Sequence, residues 1–167
     1  MRTWAAPDAE QETLRLRYLA HLSAVPDGWS RNSPVAHLTA SAVITDAGAD
    51  RVLLALHAKV GRWLQTGGHL EPGDIDLADA ARREAVEESG LPSVVVDSVP
   101  VLLSEHPAPC RPDCRHFDVQ FHAVAEVVAP HASAESVAAG WFSVEDLPDT
   151  DDTVRALISA ARTRARG

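Results

Sequence analysis

Glu84, Glu87 and Glu88 fall within the stretch "REAVEESGL", separated by steps of three and four residues. The alanines of this region and Gly90 predict a helix over about 77–89, ended by the residue type preferred just past a helix C-terminus. That spacing puts the three side chains on one helical face. Carboxylates crowded there repel by roughly a few tenths of a kcal/mol per pair in an isolated helix, so something should offset the cost. A hard divalent cation does so, because Mg²⁺ and Mn²⁺ take oxygen ligands, keep several waters and bridge to phosphate oxygens. The glycine pair in "GGHLEPGD", just upstream, lets the backbone approach closely, and a carbonyl exposed at such a turn adds a further oxygen. The competing reading is a solvated acidic helix face, the commoner explanation of a charge run.

The glycine pair, the acidic turn, the Arg-Glu pair, the double Glu and the closing Gly-Leu occur in order. Together they resemble the signature of the Nudix hydrolase family (MutT-like), G-x5-E-x7-R-E-U-x-E-E-x-G-U with U aliphatic. Gly68 stands at its first glycine, Asp74 at its first glutamate, and Arg83, Glu84, Glu87, Glu88, Gly90 and Leu91 at its second half. Asp replaces Glu at 74, eight residues rather than seven separate it from Arg83, and Ala85 is a small stand-in for an aliphatic residue. Outside the box, "RWLQTGG" resembles the family's Trp-containing strand, with Thr66 where Pro is frequent. "ESVAAGWFSVEDLP" resembles its downstream segment, which places Glu135 where some members have a glutamate that reaches the metal site or acts as base.

The resemblance implies an α/β protein of the Nudix type, an α/β/α sandwich with a mixed β-sheet and a loop-helix box. It implies metal-dependent hydrolysis of a diphosphate linkage in a nucleoside diphosphate-X substrate, with Mg²⁺ or Mn²⁺ as cofactor. Under it Glu84, Glu87 and Glu88 are metal ligands or water activators, and Gly68 offers a carbonyl ligand. Arg83 either orients a glutamate through a bidentate pair or makes a structural salt bridge. The partner is a small nucleotide-derived diphosphate, and a homodimer is left open. Two alternatives share the fold: a catalytically silent ligand-binding or regulatory module, against which the intact acidic set argues, and an isoprenoid diphosphate isomerase. The isomerase calls for a placed cysteine, whereas His69 follows Gly68 with no cysteine adjacent.

Further residues have chemical potential and duller explanations beside it. His69 could meet a phosphate or fill a turn. Arg62, with His57 and Lys59, supplies positive charge before the box, for a distal phosphate or as loop decoration. His116 and Asp118 share a strand face by alternation and line a pocket or a solvent-facing edge. His106, Cys110, Cys114 and His116 form H-x3-C-x3-C-x-H, whose residue types are zinc ligands, but the wide spacing and three prolines read as a constrained loop. Trp63 and Trp141 read as core rather than stacking platforms.

Positioning these residues requires a sheet and helices. Leu14, Leu16, Tyr18, Leu19 and Leu22 predict a helix from Asp8 to about Ala24, stopped by "VPDG". Two β-rich runs, about 36–45 and 51–57, read as a hairpin. "SVVVDSVPVLLSEH" offers further strand, "PAPCRPDC" a loop, and "RHFDVQFHAVAEVV" a half-buried strand. The irregular stretch 103–115 is thereby the expected substrate selector. "WFSVEDLP" reads as a strand end and turn, and the tail after Thr150 as a helix, acidic at its start and basic at its close. The expected organisation is one domain, 1–167, with a helical extension (1–34), a core (35–148) and a C-terminal helix (149–167).

The net charge of −9, from 15 Lys and Arg against 24 Asp and Glu, disfavours duplex nucleic acid as a partner. An acidic protein can still hold an acidic substrate when a cation lies between them. The apolar runs are too short to span a bilayer, no secretion signal opens the chain, and two cysteines make no disulfide scaffold. A soluble cytoplasmic protein without a membrane partner is the expectation.

Overall fold

Ala36–Thr45 forms β1, ten residues buried at every position, as a strand covered on both faces must be. In the computed structural model, which describes residues 2–108, 111–133 and 136–166 (Pro112 by its backbone alone), the elements around it follow in chain order. They are α1 (Ala9–Ala24), β1, β2 (Arg51–His57), β3 (Trp63–Leu64), β4 (Thr66–His69), α2 (Leu77–Ser89), β5 (Val95–Val96), β6 (Leu102–Ala108), β7 (Arg111–Val124), β8 (Ser136–Ser143) and α3 (Asp152–Arg166). On one side β1 pairs antiparallel with β2 and β4; on the other it runs parallel to β7, from Ala36 opposite Arg115 to Thr45 opposite Val124. β2 carries β3 and β8, and β7 carries β5 and β6, all antiparallel.

Alternation along β1 and β7 divides the two faces. Leu38, Ala40, Ala42 and Ile44, with Phe117, Val119, Phe121 and Ala123, meet Tyr18 of α1 and Ala80, Ala81 and Ala85 of α2. On the opposite face Val43, Val52 and Leu54 meet Val154, Leu157, Ile158 and Ala161 of α3. The result is an α/β/α sandwich around a mixed sheet. Ala85, the small residue in the box, is fully buried where α2 lies on the sheet, and its size allows that close approach. Trp63 and Trp141 are both partly buried; Trp63 packs edge-on against Phe142 with ring centroids 4.7 Å apart.

Each helix has its local cause. Asp8 caps α1 by accepting from the Gln11 N–H, and Leu14, Tyr18 and Leu22 recur at four-residue steps on the buried side. Tyr18 stacks on Phe117 with centroids 4.4 Å apart and donates from its hydroxyl to the Ser104 carbonyl at 2.6 Å. The Gln11 amide meets both backbone groups of Leu103, donating to its carbonyl at 3.0 Å and accepting from its N–H at 2.6 Å. Asp76 caps α2, and Gly90, at φ 64°, closes it with an N–H to the Val86 carbonyl.

The segment expected as the loop "PAPCRPDC" departs from expectation. β6 extends through Pro107 to Ala108 and β7 begins at Arg111, so the described residues of 103–115 are paired strand rather than irregular loop. Among the described residues β6 pairs with β7 alone, leaving Pro107 on an edge where no ladder donor is required, and the register shifts between Pro107 and Ala108. β8 likewise starts at Ser136, upstream of the strand end read from "WFSV". Among the described residues no helix is long and apolar enough to cross a membrane.

Candidate active site

β4 consists of Thr66, Gly67, Gly68 and His69, laid antiparallel against Ala42 to Thr39 of β1. A Cβ on Gly67 would stand 2.3 Å from the Ser41 Cβ, so only glycine lets the two strands close. Gly68 faces the other way. A Cβ there would stand 2.6–2.8 Å from the carboxylate atoms of Glu84, which occupy that space instead. The Gly67 N–H donates to Glu88 Oε2 at 2.8 Å. Glu84 and Glu88, one helical turn apart, therefore both rest on the backbone of the glycine pair.

Arg83 ties the constellation together. Its Nε and Nη2 donate to Asp74 Oδ1 and Oδ2 at 2.9 and 3.1 Å, and Nη2 also donates to the His69 carbonyl at 2.9 Å. Nη1 reaches Glu84 Oε1 at 3.0 Å and Glu87 Oε2 at 3.2 Å. The bidentate pair expected with a glutamate is made with Asp74 instead; Arg83 braces the turn through it and meets Glu84 and Glu87 by a single contact each. The guanidinium keeps the Asp74 carboxyl below the usual carboxylate range, and Asp74, followed by Glu84, raises the affinity of Arg83 for its proton. The extra residue before Arg83 is absorbed by the turn, where Ile75 points out to solvent at 88% exposure and Asp74 still reaches its partner.

Three carboxylates, those of Asp74, Glu84 and Glu87, thus surround one guanidinium, with Glu88 one helical turn from Glu84 on the Gly67 N–H, an excess of negative charge that suits a cation. The donors are oxygens, the type a hard ion takes, but the three glutamates do not converge as a ready-made ligand set: Glu84 and Glu87 are tied to Arg83 and Glu88 to the Gly67 N–H, so holding an ion requires them to swing inward, as the exposed Glu87 can. Beneath the same turn opens a cavity of about 500 Å³ with walls from Trp29, Leu38, Leu70 and Phe121 and polar groups from Glu71 and Asp74. Its size and mixed lining suit a small organic ligand.

The remaining sequence candidates are dispersed. Arg62 is exposed in the turn before β3, and among the described contacts nothing ties its side chain to the glutamates. Glu135 lies outside the described residues, as does Cys110. Asp118 is 3% exposed, and its two oxygens accept from Thr39 Oγ1 at 2.9 Å and Ser41 Oγ at 2.6 Å. His69 and His116 come together with a residue that sequence reasoning missed, His37. The rings of His37 and His116 lie 4.8 Å apart, and His69 is 5.1 Å from each. His106 packs on the outer side of His116 at 5.2 Å, while the buried Cys114 turns its Sγ to within 3.3 Å of His37 Nδ1. Burial, then neighbouring histidines, pushes His116 down to about 3; burial and His69 lead in pushing His37 down to about 4. Both rings are neutral at physiological pH. The signal for His37 was its pairing opposite His116 across parallel strands, a register invisible in one sequence.

The NUDIX domain family model matches residues 35–161. Among solved structures, a NUDIX family hydrolase from Clostridium perfringens superposes with a TM-score of 0.62 at 24% identity, over 78% of this chain and 96% of that one. An Ap4A hydrolase from C. elegans gives 0.65 at 20% identity, over 77% and 97%. The NUDIX domain of NrtR from Shewanella oneidensis, solved with ADP ribose, gives 0.61 at 20% identity, over 89% and 97%. At these identities the likeness is one of fold.

Proposed function

Because the chain belongs to the Nudix family, whose domain covers residues 35–161, we propose that it is a pyrophosphohydrolase using Mg²⁺ or Mn²⁺ to cleave a diphosphate linkage in a nucleotide-derived substrate. The observation that carries this reading is the gathering of Glu84, Glu87 and Glu88 around Arg83 and the glycine pair. Glu84, Glu88 and Glu87 would hold the ion, with the Gly68 carbonyl as a further oxygen. When bound, it supplies Lewis acidity toward the diphosphate oxygens and offsets the charge of the carboxylates.

The chain's own residues do the rest. Arg83 fixes one oxygen each of Glu84 and Glu87, so these side chains need little reordering when substrate arrives. The proton of the attacking water passes to the glutamate group as a coupled set, which is the form in which neighbouring carboxylates titrate. Glu135 is a further candidate base through its place in the family pattern. The cavity under the turn receives the group attached to the diphosphate. The nucleotide character of that group is carried over from the C. elegans relative, named for Ap4A, and from the NrtR domain, solved with ADP ribose.

The test is a substrate panel of nucleoside triphosphates, dinucleoside polyphosphates, nucleotide sugars and prenyl diphosphates with Mg²⁺ or Mn²⁺, run on the wild type and on Glu84→Gln, Glu87→Gln and Glu88→Gln. Turnover of one nucleotide class is expected, falling by roughly 100-fold or more in the variants as developing charge loses its stabilisation. Full activity in all three variants would overturn the assignment.

A further inference from the structure

We propose that His37, His69 and His116 form a second metal site, one for a borderline divalent ion of the Zn²⁺ class, on the face of the sheet opposite the glutamates of α2. Cross-strand neighbours share a face, so the pairing of His37 with His116 and of Thr39 with His69 brings three imidazoles to one side of β1, β4 and β7. Gly68, one residue before His69, faces α2 instead, where the Glu84 carboxylate fills the space beside it. The sheet therefore separates two clusters that are adjacent in sequence.

The histidine cluster has the features of a ligand set. One ligand atom from each ring lies within 4.8 Å of the other two, and among the described residues no other group of three His, Cys, Asp or Glu side chains comes together this way. A tetrahedral site with Zn–N distances of about 2.0–2.1 Å has edges of roughly 3.3 Å. The ligand atoms must close by up to about 1.5 Å to reach that edge, and His69 and His116 are both only partly buried.

A second observation points the same way. His37 is 2% exposed, and its Nε2 has no hydrogen-bond partner among the described residues. Its Nδ1 is engaged by Cys114 Sγ at 3.3 Å, and Cys114 in turn lies 3.7 Å from the Ser33 carbonyl. A thiol donating to Ser33 and accepting from Nδ1–H leaves the lone pair on Nε2, the tautomer that ligates metal. A buried nitrogen with a lone pair and no donor is an unexplained cost unless something binds it. Imidazole suits Zn²⁺ and carboxylate suits Mg²⁺, so the two clusters would sort ions by softness. Three histidines leave the fourth position of the ion to water.

The experiment uses the full chain without a polyhistidine tag, stripped of metal and titrated with Zn²⁺, and separately with Co²⁺ as an absorbing reporter. One equivalent of Zn²⁺ is expected, with visible Co²⁺ bands of a nitrogen-rich low-coordinate site. His69→Ala and His116→Ala, chosen because both side chains are partly exposed, should keep the circular dichroism of the wild type. Each should lose at least about 100-fold in Zn²⁺ affinity, beyond the roughly 10–100-fold that outer-sphere partners contribute. Cys114→Ser should lose affinity by about that smaller factor with stoichiometry unchanged. The combined variant E84Q/E87Q/E88Q should still take up one Zn²⁺. No uptake by the wild type, uptake that survives both histidine variants, or uptake that disappears in the glutamine variant would each overturn the site.

Discussion

Arg83 and Asp74 meet through two parallel N–H···O bonds, Nε to Oδ1 at 2.9 Å and Nη2 to Oδ2 at 3.1 Å, with the Asp74 side chain only 7% exposed. This fork clamps the 70–76 turn to α2. Asp74→Asn should destabilise the protein by about 1.5–3 kcal/mol, the range for hydrogen bonds to charged groups, measured by urea unfolding at pH 7. The sign with pH follows from the lowered carboxyl. The contribution is complete above the ordinary aspartate value of about 3.9 and is lost as pH falls through the lower folded value. The wild-type and Asn curves should therefore converge only in strong acid; a gap that closes near pH 6 would contradict the clamp.

The two glycines make opposite predictions. In Gly68→Ala the new methyl meets the end of a flexible side chain, Glu84, which can move. The fold should persist while turnover drops by roughly 100-fold, the scale of an ångström-sized misplacement at a reacting centre. In Gly67→Ala the methyl meets the Cβ and Cα of Ser41 and the Ala40 carbonyl, none of which can yield without parting the strands. The expected result is a loss of about 1–3 kcal/mol in stability, the cost of overpacking, read from the thermal midpoint. Equal behaviour of the two variants would show that Glu84 is not held against Gly68.

Trp29, 39% exposed on the cavity wall, gives a kinetic test of where the organic part of the substrate sits. If a base or ring lies against it, Trp29→Ala should raise KM about tenfold with kcat nearly unchanged, since stacking contributes roughly 1–3 kcal/mol of uniform binding. A fall in kcat at constant KM would place the substrate elsewhere.

His122 supplies a second pH dependence. It is 3% exposed, its Nε2 lies 2.9 Å from Thr45 Oγ1, and its Nδ1 is 3.5 Å from Asp97, which Arg164 also binds. Burial lowers its proton affinity, Asp97 opposes that and Arg164 adds to it. The unfolded chain therefore takes up the proton first, so stability declines as pH drops below about 6.5. His122→Gln should flatten this decline between pH 7.5 and 5.5, as followed by urea midpoints. Parallel curves for the two proteins would remove His122 as a cause.

The parts of this architecture that depend on neighbours in sequence were the legible ones. The bounds of α2, its closing Gly90 and the shared face of the glutamates follow from helix periodicity and one left-handed residue. The ends of β1 and β2 followed from β-rich runs around a turn. The β6–β7 hairpin was hidden because prolines signal loops, and only an edge position cancels that signal. His37 and the inward set of Asp118 were hidden for another reason. Both depend on the parallel register of β1 with β7, which joins residues nearly eighty positions apart through a crossover that no local pattern encodes. The compensation between a shorter Asp74 and a longer turn likewise needed the fork to Arg83 to be seen.

The Gln11 amide, donating to and accepting from Leu103, presents to the outer margin of β6 the same pair of groups that another strand would bring. An unguarded margin of this kind recruits further chains. A protein shortened to begin at β1 would lose this cover and leave the Leu103 backbone groups open to another strand.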